Sequence, residues 1–449
     1  MSLYLYELPT TGAISFSDFC SDASPEKLYT THISDATQTR ANLRGVLKES
    51  KRTQDGEKDY LKLVKVLDEY IPRLRGIMVC VASNQIELKS EPIISWRTTL
   101  SANLFNTSPR LSLPSLQADF AYSLLTYAFA LSNLARSKVA SLGAYEHDRA
   151  ISDADRKAKE SQLTVAADLL CRASGIFSYM TDTVLLEWES AAPASVFTKP
   201  PDLSREVNNA LAKSSLADAQ TLAIRKLLSK SAYDSNIAPG PPLPKSHPSP
   251  ALISKLHLEC SSLYSSARTL AKTPNSAGKG KAKGATSAAD GEVSADLRRY
   301  LHEETLFHDA MAHKWLGVDA GENGGTERGG DAVGFLVWAK KELEELKGRK
   351  KERVSDELDI VGVFLKHYKK VNDSLHFRPV PKQADLQARI PTGRMAVAAK
   401  AFVPPQPAFG PGSVEHIRRR AEELELDEDA VADGTPASSA TYAGAGSYF

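Results

Sequence analysis

Cysteine is scarce in this 449-residue chain. Its four cysteines, Cys20, Cys80, Cys171 and Cys260, lie far apart and form no CxxC pair. This spacing favours reduced thiols in a cytosolic protein over a disulfide framework or a zinc site. The chain also lacks an excess of charge of either sign, since its formal net charge is +1. Such a balance gives no general attraction to nucleic acid.

Long hydrophobic runs are missing as well. The most apolar stretch, FAYSLLTYAFALSNLA from Phe120, is interrupted by Ser, Thr and Asn and is too short to span a bilayer. The N-terminus has no basic signal-peptide region, and neither end carries a lipidation motif. We therefore expect a cytoplasmic protein whose membrane contact is indirect or uses a local basic patch. The run GRKKER (348–353) is one candidate, although its position at the end of a predicted helix favours a solvated basic helix end over a lipid-binding patch.

Signatures of catalysis are also missing. The sequence HEETLFH (302–308) places its histidines six residues apart, whereas a zinc-protease helix needs them four apart. The glycine-rich stretches GENGGTERGGD and GKGKAKG lack the spacing of phosphate-binding loops, so no cofactor is expected. The catalytic alternative is a helical enzyme that uses His302, Asp309 and His313 from one helix face.

Amphipathic helix patterns fill most of the chain. The stretch YLKLVKVLDEYIPRLRGIM (60–78) places apolar residues at three-to-four spacing, with charged residues between them. The segment 86–100 alone favours β-strand. We therefore predict a mostly α fold with a small β element near the N-terminus. Further helices are predicted at 116–141, 153–189, 202–232, 249–272, 292–317, 329–349 and 353–374.

Three segments interrupt or end the helical pattern. Residues 235–250 are too rich in proline to continue a helix, and residues 273–292 read as a disordered insertion of small and polar residues. After residue 400 the chain becomes a proline-rich and charged tail (401–449), with a possible short helix at 413–431.

Small residues mark one of the predicted helices. In the motif ASGIF, Ala173 and Gly175 would let two helices approach closely, while Phe177 fills the gap beside them.

Four stretches, taken in order, resemble the BRO1 domain. One is the helix PSLQADFAYSLLTYAFALSNLA, and the second is AADLLCRASGIF, which follows the family pattern A-A-x-x-F-x-x-A-S-G-x-F except that Leu170 replaces the phenylalanine. The third begins with PDL and ends with LADAQ, and the fourth pairs a V-P element with P-T-G-R. They occupy residues 114–135, 166–177, 201–220, and 380–381 with 391–394.

The resemblance implies an elongated, boomerang-shaped BRO1 domain over residues 1–400, built as an antiparallel, solenoid-like array of helices. It implies a non-catalytic adaptor that binds the C-terminal helix of the ESCRT-III filament subunit. The short tail suits a fungal type of BRO1 protein that acts in ambient-pH signalling. Such a protein would help assemble, at cortical sites of the plasma membrane, a complex in which a calpain-like protease activates a transcription factor. A general adaptor of endosomal sorting is the alternative.

The resemblance also implies a binding site. The stretch ALISKLH (251–257) resembles the family segment whose exposed apolar residues receive the ESCRT-III helix. It places Leu252 and Leu256 at the contacting positions, with Lys255 between them. Ala223 stands where the family usually has a phenylalanine of the same site.

The helix pattern itself leaves a second interpretation open for these leucines. Ile253, Cys260 and Tyr264 are expected to face the core, and Leu252 and Leu256 lie at one edge of the same apolar stripe. Both leucines could therefore be core residues.

Overall fold

The computed structural model describes residues 3–101, 110–191, 200–235, 240–272, 293–346 and 351–433. The chain divides into two compact units. The larger comprises Met1–Ile14, Arg40–Asp68 and Pro92–Val403, and the smaller comprises Ser15–Thr39, Glu69–Glu91 and Pro404–Phe449. The insertion predicted at 273–292 lies outside the described residues.

Helices dominate the described residues, as the apolar periodicity predicts. The predicted helices are confirmed, with ends that shift by a few residues. A turn of π-helix, Met180–Val184, separates the two halves of the helix predicted at 153–189. The helices are α1 Phe16–Phe19, α2 Thr30–Arg52, α3 Tyr60–Ala82, α4 Leu116–Leu142, α5 Asp153–Tyr179, α6 Leu185–Ala191, α7 Arg205–Ser235, α8 Pro250–Leu270, α9 Ala295–Asn323, α10 Gly329–Leu346, α11 Lys351–Val371, α12 Gln383–Gln387 and α13 Val414–Asp433.

The described strands all precede α4, in agreement with the β element predicted near the N-terminus. In the smaller unit, β1 (Cys20–Asp22) pairs antiparallel with β2 (Ile86–Leu88). In the larger unit, β3 (Ile93–Arg97) pairs antiparallel with β4 (Arg110–Pro114). Burial of alternate β3 side chains, as at Trp96, fixes the face that this hairpin turns to the core.

A buried ion pair ties this hairpin to two helices of the larger unit. Arg40 of α2 and Asp119 of α4 are 1% and 0% exposed, and their side chains lie 2.9 Å apart. The indole Nε1 of Trp96 donates to the same carboxylate at 2.6 Å. Because a buried charge is costly without a partner, this triad specifies the packing of β3 on α2 and α4.

The long helices of the larger unit pack in chain order with alternating directions. On α5 and α7, Ser174 bonds the carbonyl of Ala212, and Thr164 bonds Lys226, so residue numbers rise on one helix as they fall on the other. The antiparallel array is therefore confirmed for this pair. The same opposite order relates α8 to α9, through His257 with His308 and Tyr264 with Tyr300.

An extended segment, residues 388–403, crosses three of these helices and is called the strap below. The Arg394 N–H donates to the carbonyl of Lys255 on α8 at 3.0 Å. Further along, the Lys400 N–H donates to the carbonyl of Cys171 on α5 at 3.0 Å. Backbone hydrogen bonds thus hold the strap against the helix array without regular secondary structure of its own.

Gly175 makes room for the strap. A Cβ at this position would lie 1.7 Å from the carbonyl oxygen of Lys400, closer than any real contact. The expectation that the small residue at 175 admits a second helix is therefore wrong. Gly175 instead makes room for an extended backbone. The residue pattern of a single helix cannot show whether its close neighbour is another helix or an extended segment.

Candidate functional site

A groove of about 580 Å³ runs between α5 and α7, beside the strap. All of its lining residues belong to the larger unit. They are Arg156, Glu160, Leu163, Thr164, Ala167, Leu222, Ala223, Lys226, Leu227, Lys230, Ala396 and Val397.

The groove combines a buried apolar floor with an apolar residue at its rim. Leu163 and Leu222 are both 0% exposed and belong to the core between the two helices. Leu227, four residues after Ala223 and so on the same helix face, keeps 42% of its surface exposed. A solvent-exposed leucine beside an apolar floor offers area that a partner side chain could remove from water.

The α5 side of the groove carries a self-satisfied ion cluster. Arg156 is 5% exposed and bonds both Asp153 and Glu160, one turn away on either side. Its bonds help to hold the pKa of the Asp153 carboxyl at about 2. This side therefore presents little free charge to a partner.

The α7 side is cationic. The ammonium of Lys226 donates to the hydroxyl of Thr164 at 2.8 Å, and Lys230 lies exposed one turn further along. Among the described residues, neither lysine belongs to an ion pair. The α7 rim therefore favours a partner that carries carboxylates beside its apolar face.

Gln220 fixes the strap as a wall of the groove. This side chain is 1% exposed. Its Oε1 accepts from the N–H groups of Ala396 at 2.7 Å and Val397 at 3.2 Å, and its Nε2 donates to the carbonyl of Val397 at 3.2 Å. One buried amide thus satisfies three backbone groups of the strap, which sets the distance between strap and α7.

Of the predicted contact residues, Ala223 lines the groove and the other three do not. Leu252 and Lys255 are partly buried on α8. Leu256 is only 3% exposed, so it is a core residue, and the prediction that it faces a partner is wrong in this structure.

The burial of α8 on several sides explains this correction. Ile253, Cys260 and Tyr264 are buried as expected, since α8 packs against both α7 and α9. The strap adds a third neighbour, through Arg394 at Lys255. A helix with three neighbours buries more than one apolar stripe, and this additional burial includes Leu256.

The sequence interpretation missed the residues that give the groove its character. Leu227, Lys226 and Lys230 lie on α7, within the helix that contains the LADAQ motif. They follow Ala223 by four, three and seven residues respectively, which places them on one helix face, and that signal was available in the sequence.

The histidines of the catalytic alternative do not converge. The Nδ1 atom of His313 is hydrogen-bonded to Oε2 of Glu342 at 2.8 Å. The same imidazole stacks on Trp338, with ring centroids 3.8 Å apart. Burial raises the pKa of the Asp309 carboxyl. In the part of the chain that the structure describes, no three His, Cys, Asp or Glu side chains are grouped as a metal site requires.

A buried histidine pair lies elsewhere in the larger unit. The Nδ1 atoms of His257 and His308 are 2.8 Å apart, and the hydroxyl of Thr221 lies 3.2 Å from Nε2 of His308. Burial first, and the neighbouring His308 second, lower the pKa of His257 well below its ordinary value. The pair is therefore a structural contact that disfavours protonation of His257.

The sequence raised two questions about membrane contact, a bilayer-spanning helix and a basic patch at 348–353, and the described residues support neither. No helix among them combines the length and hydropathy that crossing a bilayer requires. The basic run at 348–353 lies partly outside the described residues, since 347–350 are not included.

Comparison with known proteins gives consistent matches. Residues 20–418 match the BRO1-like domain. The chain is 37% identical to "pH-response regulator protein palC" of Cryptococcus neoformans var. neoformans, over 100% of both chains. The solved "ALIX BRO1 CHMP4C complex" gives a TM-score of 0.60 at 18% identity, covering 91% of this chain and 98% of that one. "Structure basis for endosomal targeting by the Bro1 domain" gives 0.56 at 15%, covering 96% and 99%.

Proposed function

The chain belongs to the family of BRO1-like domain proteins, and from this premise we propose that it is a non-catalytic adaptor of alkaline-pH signalling. Its groove between α5 and α7 would receive the amphipathic C-terminal helix of the ESCRT-III filament subunit. The full-length similarity to a pH-response regulator supports the signalling role. The solved ALIX BRO1 complex with CHMP4C supports the kind of partner.

The observation that carries the proposal is the composition of the groove. Leu163 and Leu222 form the floor of the groove, and Leu227 lies at its rim. Lys226 and Lys230 line its α7 side. An amphipathic helix with an apolar face and an acidic flank complements both features at once.

Among the residues predicted from sequence, Ala223 is the proposed central contact, since its small side chain leaves room in the groove. Leu252 and Lys255 on α8 are proposed only as peripheral contacts, because neither lines the groove. Leu256 is no longer proposed, because it is core.

In the cell, the adaptor would be recruited to cortical sites of the plasma membrane. There it would join a complex in which a calpain-like protease activates a transcription factor. The alternative, a general adaptor of endosomal sorting, draws support from the neighbour described as a basis for endosomal targeting. Deletion of the gene separates the two: the signalling adaptor predicts loss of the alkaline response with normal sorting of membrane cargo, and the alternative predicts missorted cargo.

A fluorescence anisotropy titration with the C-terminal helix peptide of the ESCRT-III filament subunit tests the binding proposal. We expect the full chain to bind and the double variant Lys226→Glu, Lys230→Glu to bind about 2- to 30-fold more weakly, because each rim charge contributes on the order of 0.2–1 kcal/mol. The matched control reverses Lys48 and Lys65, two exposed lysines outside the groove. Absence of binding by the parent, or equal weakening in the control, would contradict the proposal.

A further inference from the structure

The turn that follows α11, residues 372–380, exposes large apolar side chains and is called the apolar turn below. Leu375 is 70% exposed and Phe377 is 75% exposed. Single apolar residues on a surface are common, but these two lie two positions apart and are both mostly solvated. Because so little of either side chain is covered, both project from the surface of the larger unit.

The backbone of the apolar turn is held in a costly conformation. Phe377 has a φ of 54°, in the left-handed region that bulky side chains rarely adopt. Its N–H donates to the carbonyl of Asn372 at 2.7 Å. The Asn372 side chain is 3% exposed, and it donates to the carbonyl of Arg378 at 2.9 Å and accepts from the Arg378 N–H at 3.3 Å. These bonds fix the conformation that presents Phe377 to solvent.

Helix α10 leaves room for the base of the apolar turn. A Cβ at Gly329, the first residue of α10, would lie 2.6 Å from Oδ1 of Asn372 and 2.7 Å from Nδ1 of His376. Glycine at this position therefore lets the turn pack against the start of the helix. Since the turn is packed at its base, the exposure of its apolar side chains is a fixed property of the fold.

Positive charge surrounds the apolar turn. Residues 365–382 contain one acid, Asp373, and five basic residues, which are Lys366, Lys369, Lys370, Arg378 and Lys382. This excess of four, five minus one, exceeds the net charge of +1 of the whole chain. Arg378 pairs with Glu327, whereas the four lysines are exposed and belong to no ion pair among the described residues. A helix C-terminus favours lysines in its last turn, but it does not explain the exposed apolar side chains beside them.

This combination complements the surface of an anionic membrane. At a bilayer interface, apolar side chains enter the boundary between headgroups and acyl chains, while lysines attract anionic lipids. A bilayer accommodates side chains that project from a protein, whereas a protein partner needs a pocket for each of them. The unpaired lysines favour anionic over neutral lipid.

We propose that the apolar turn is a membrane-docking site. Leu375 and Phe377 insert into the interface of an anionic membrane, and the four lysines bind its headgroups. The site is separate from the groove between α5 and α7, since no residue of the turn lines that groove. One short apolar insertion gives weak and reversible binding, so the contact acts together with protein partners that bring the adaptor to a membrane.

Co-flotation of the full chain with vesicles tests the proposal. We expect flotation with vesicles of equimolar phosphatidylserine and phosphatidylcholine, and much less with phosphatidylcholine alone. The double variant Lys369→Ala, Lys370→Ala should lower the partition coefficient about 25-fold, since each lysine near an anionic surface contributes about fivefold. Lys48→Ala with Lys65→Ala, two exposed lysines on α2 and α3, is the matched control and should float like the parent.

Phe377→Gly separates membrane insertion from a structural role. Glycine adopts the left-handed conformation freely, so this variant should keep or raise the free energy of unfolding. It should nevertheless lower the partition coefficient about tenfold or more, because the inserted phenyl ring is lost. Leu375→Asp should also abolish flotation, whereas Ile93→Asp, at an apolar residue of β3 that is 66% exposed, should not. A parent that does not float, that floats equally without phosphatidylserine, or whose turn variants float as well as it does would overturn the proposal.

A fluorescent label identifies what covers the apolar turn. All four cysteines of the chain are buried, so Phe377→Cys provides an exposed thiol for a polarity-sensitive dye. Its emission should shift to the blue when phosphatidylserine vesicles are added, and the same dye on Ile93→Cys should not respond. A shift caused instead by the ESCRT-III peptide, or by concentrating the chain without vesicles, would overturn the membrane proposal and identify a protein as the occupant.

Discussion

Truncation of Leu227 to alanine offers a quantitative test of the groove. This leucine keeps 42% of its surface exposed in the free protein and lines the groove on α7. A helix lying in the groove would cover that remaining surface. The variant should therefore weaken peptide binding while leaving the fold intact, because the side chain contributes less to the core than its buried neighbours Leu163 and Leu222.

The size of the effect follows from the exposed fraction. Complete burial of a leucine side chain is worth about 1.5–3 kcal/mol. With 42% of the surface of Leu227 left to bury, binding can gain about 0.6–1.3 kcal/mol from it. This range corresponds to a 3- to 9-fold rise in the dissociation constant of the peptide.

Isothermal titration of the parent, Leu227→Ala and a control at equal salt measures this difference. Leu186 on α6 supplies a matched control, since it is also a leucine, is also 42% exposed, and does not line the groove. The reasoning is refuted if Leu227→Ala binds as tightly as the parent, or if Leu186→Ala weakens binding by the same factor.

Three further predictions concern the strap and the buried histidines. Gln220→Ala should lower the free energy of unfolding by about 1–3 kcal/mol, measured in urea, because strap amides lose a buried acceptor; no loss would contradict its role. Gly175→Ala should expose the strap to limited proteolysis, because its Cβ would overlap the carbonyl of Lys400; alanine's helix propensity alone predicts the opposite, a more stable chain. Burial and His308 depress the pKa of folded His257 below its ordinary 6.5, so the unfolded state binds the proton first. The stability that comes from keeping His257 neutral in the folded state is therefore fully present above about pH 6.5. It is lost as the pH falls below that value, because protons then bind the unfolded state preferentially. Urea midpoints between pH 7.5 and 5.5 should fall more steeply for the parent than for His257→Gln, and equal slopes would contradict this.

The helix array was predictable because its signal is local. Apolar residues at three-to-four spacing place α4, α5, α7 and α8 within a few residues of their observed ends. Adjacency in chain order then favours antiparallel neighbours. The strap was not predictable in this way, because its contacts are backbone hydrogen bonds to distant helices, such as that of Lys400 to Cys171, and such bonds leave no periodic pattern.

The candidate site was only partly predictable for a related reason. Ala223 was named from the family pattern, and it does line the groove. The prediction that Leu256 faces a partner failed, because a helical wheel shows which residues share a face but not how many neighbours a helix has. The strap at Lys255 supplies the additional neighbour of α8. Lys226 and Lys230 carry a readable spacing, yet exposed lysines are so common on helices that only the groove beside them gives them meaning.

Site-specific photo-crosslinking measures the central claim most directly. A photoreactive residue at Ala223 should crosslink to the C-terminal helix peptide of the ESCRT-III filament subunit, whereas the same residue at Leu186 should not, because only the first position lines the groove. Mass spectrometry of the crosslinked peptide would then identify its apolar face. Peptide that binds the chain but never crosslinks from position 223 would contradict the account, since the binding surface would lie outside the groove.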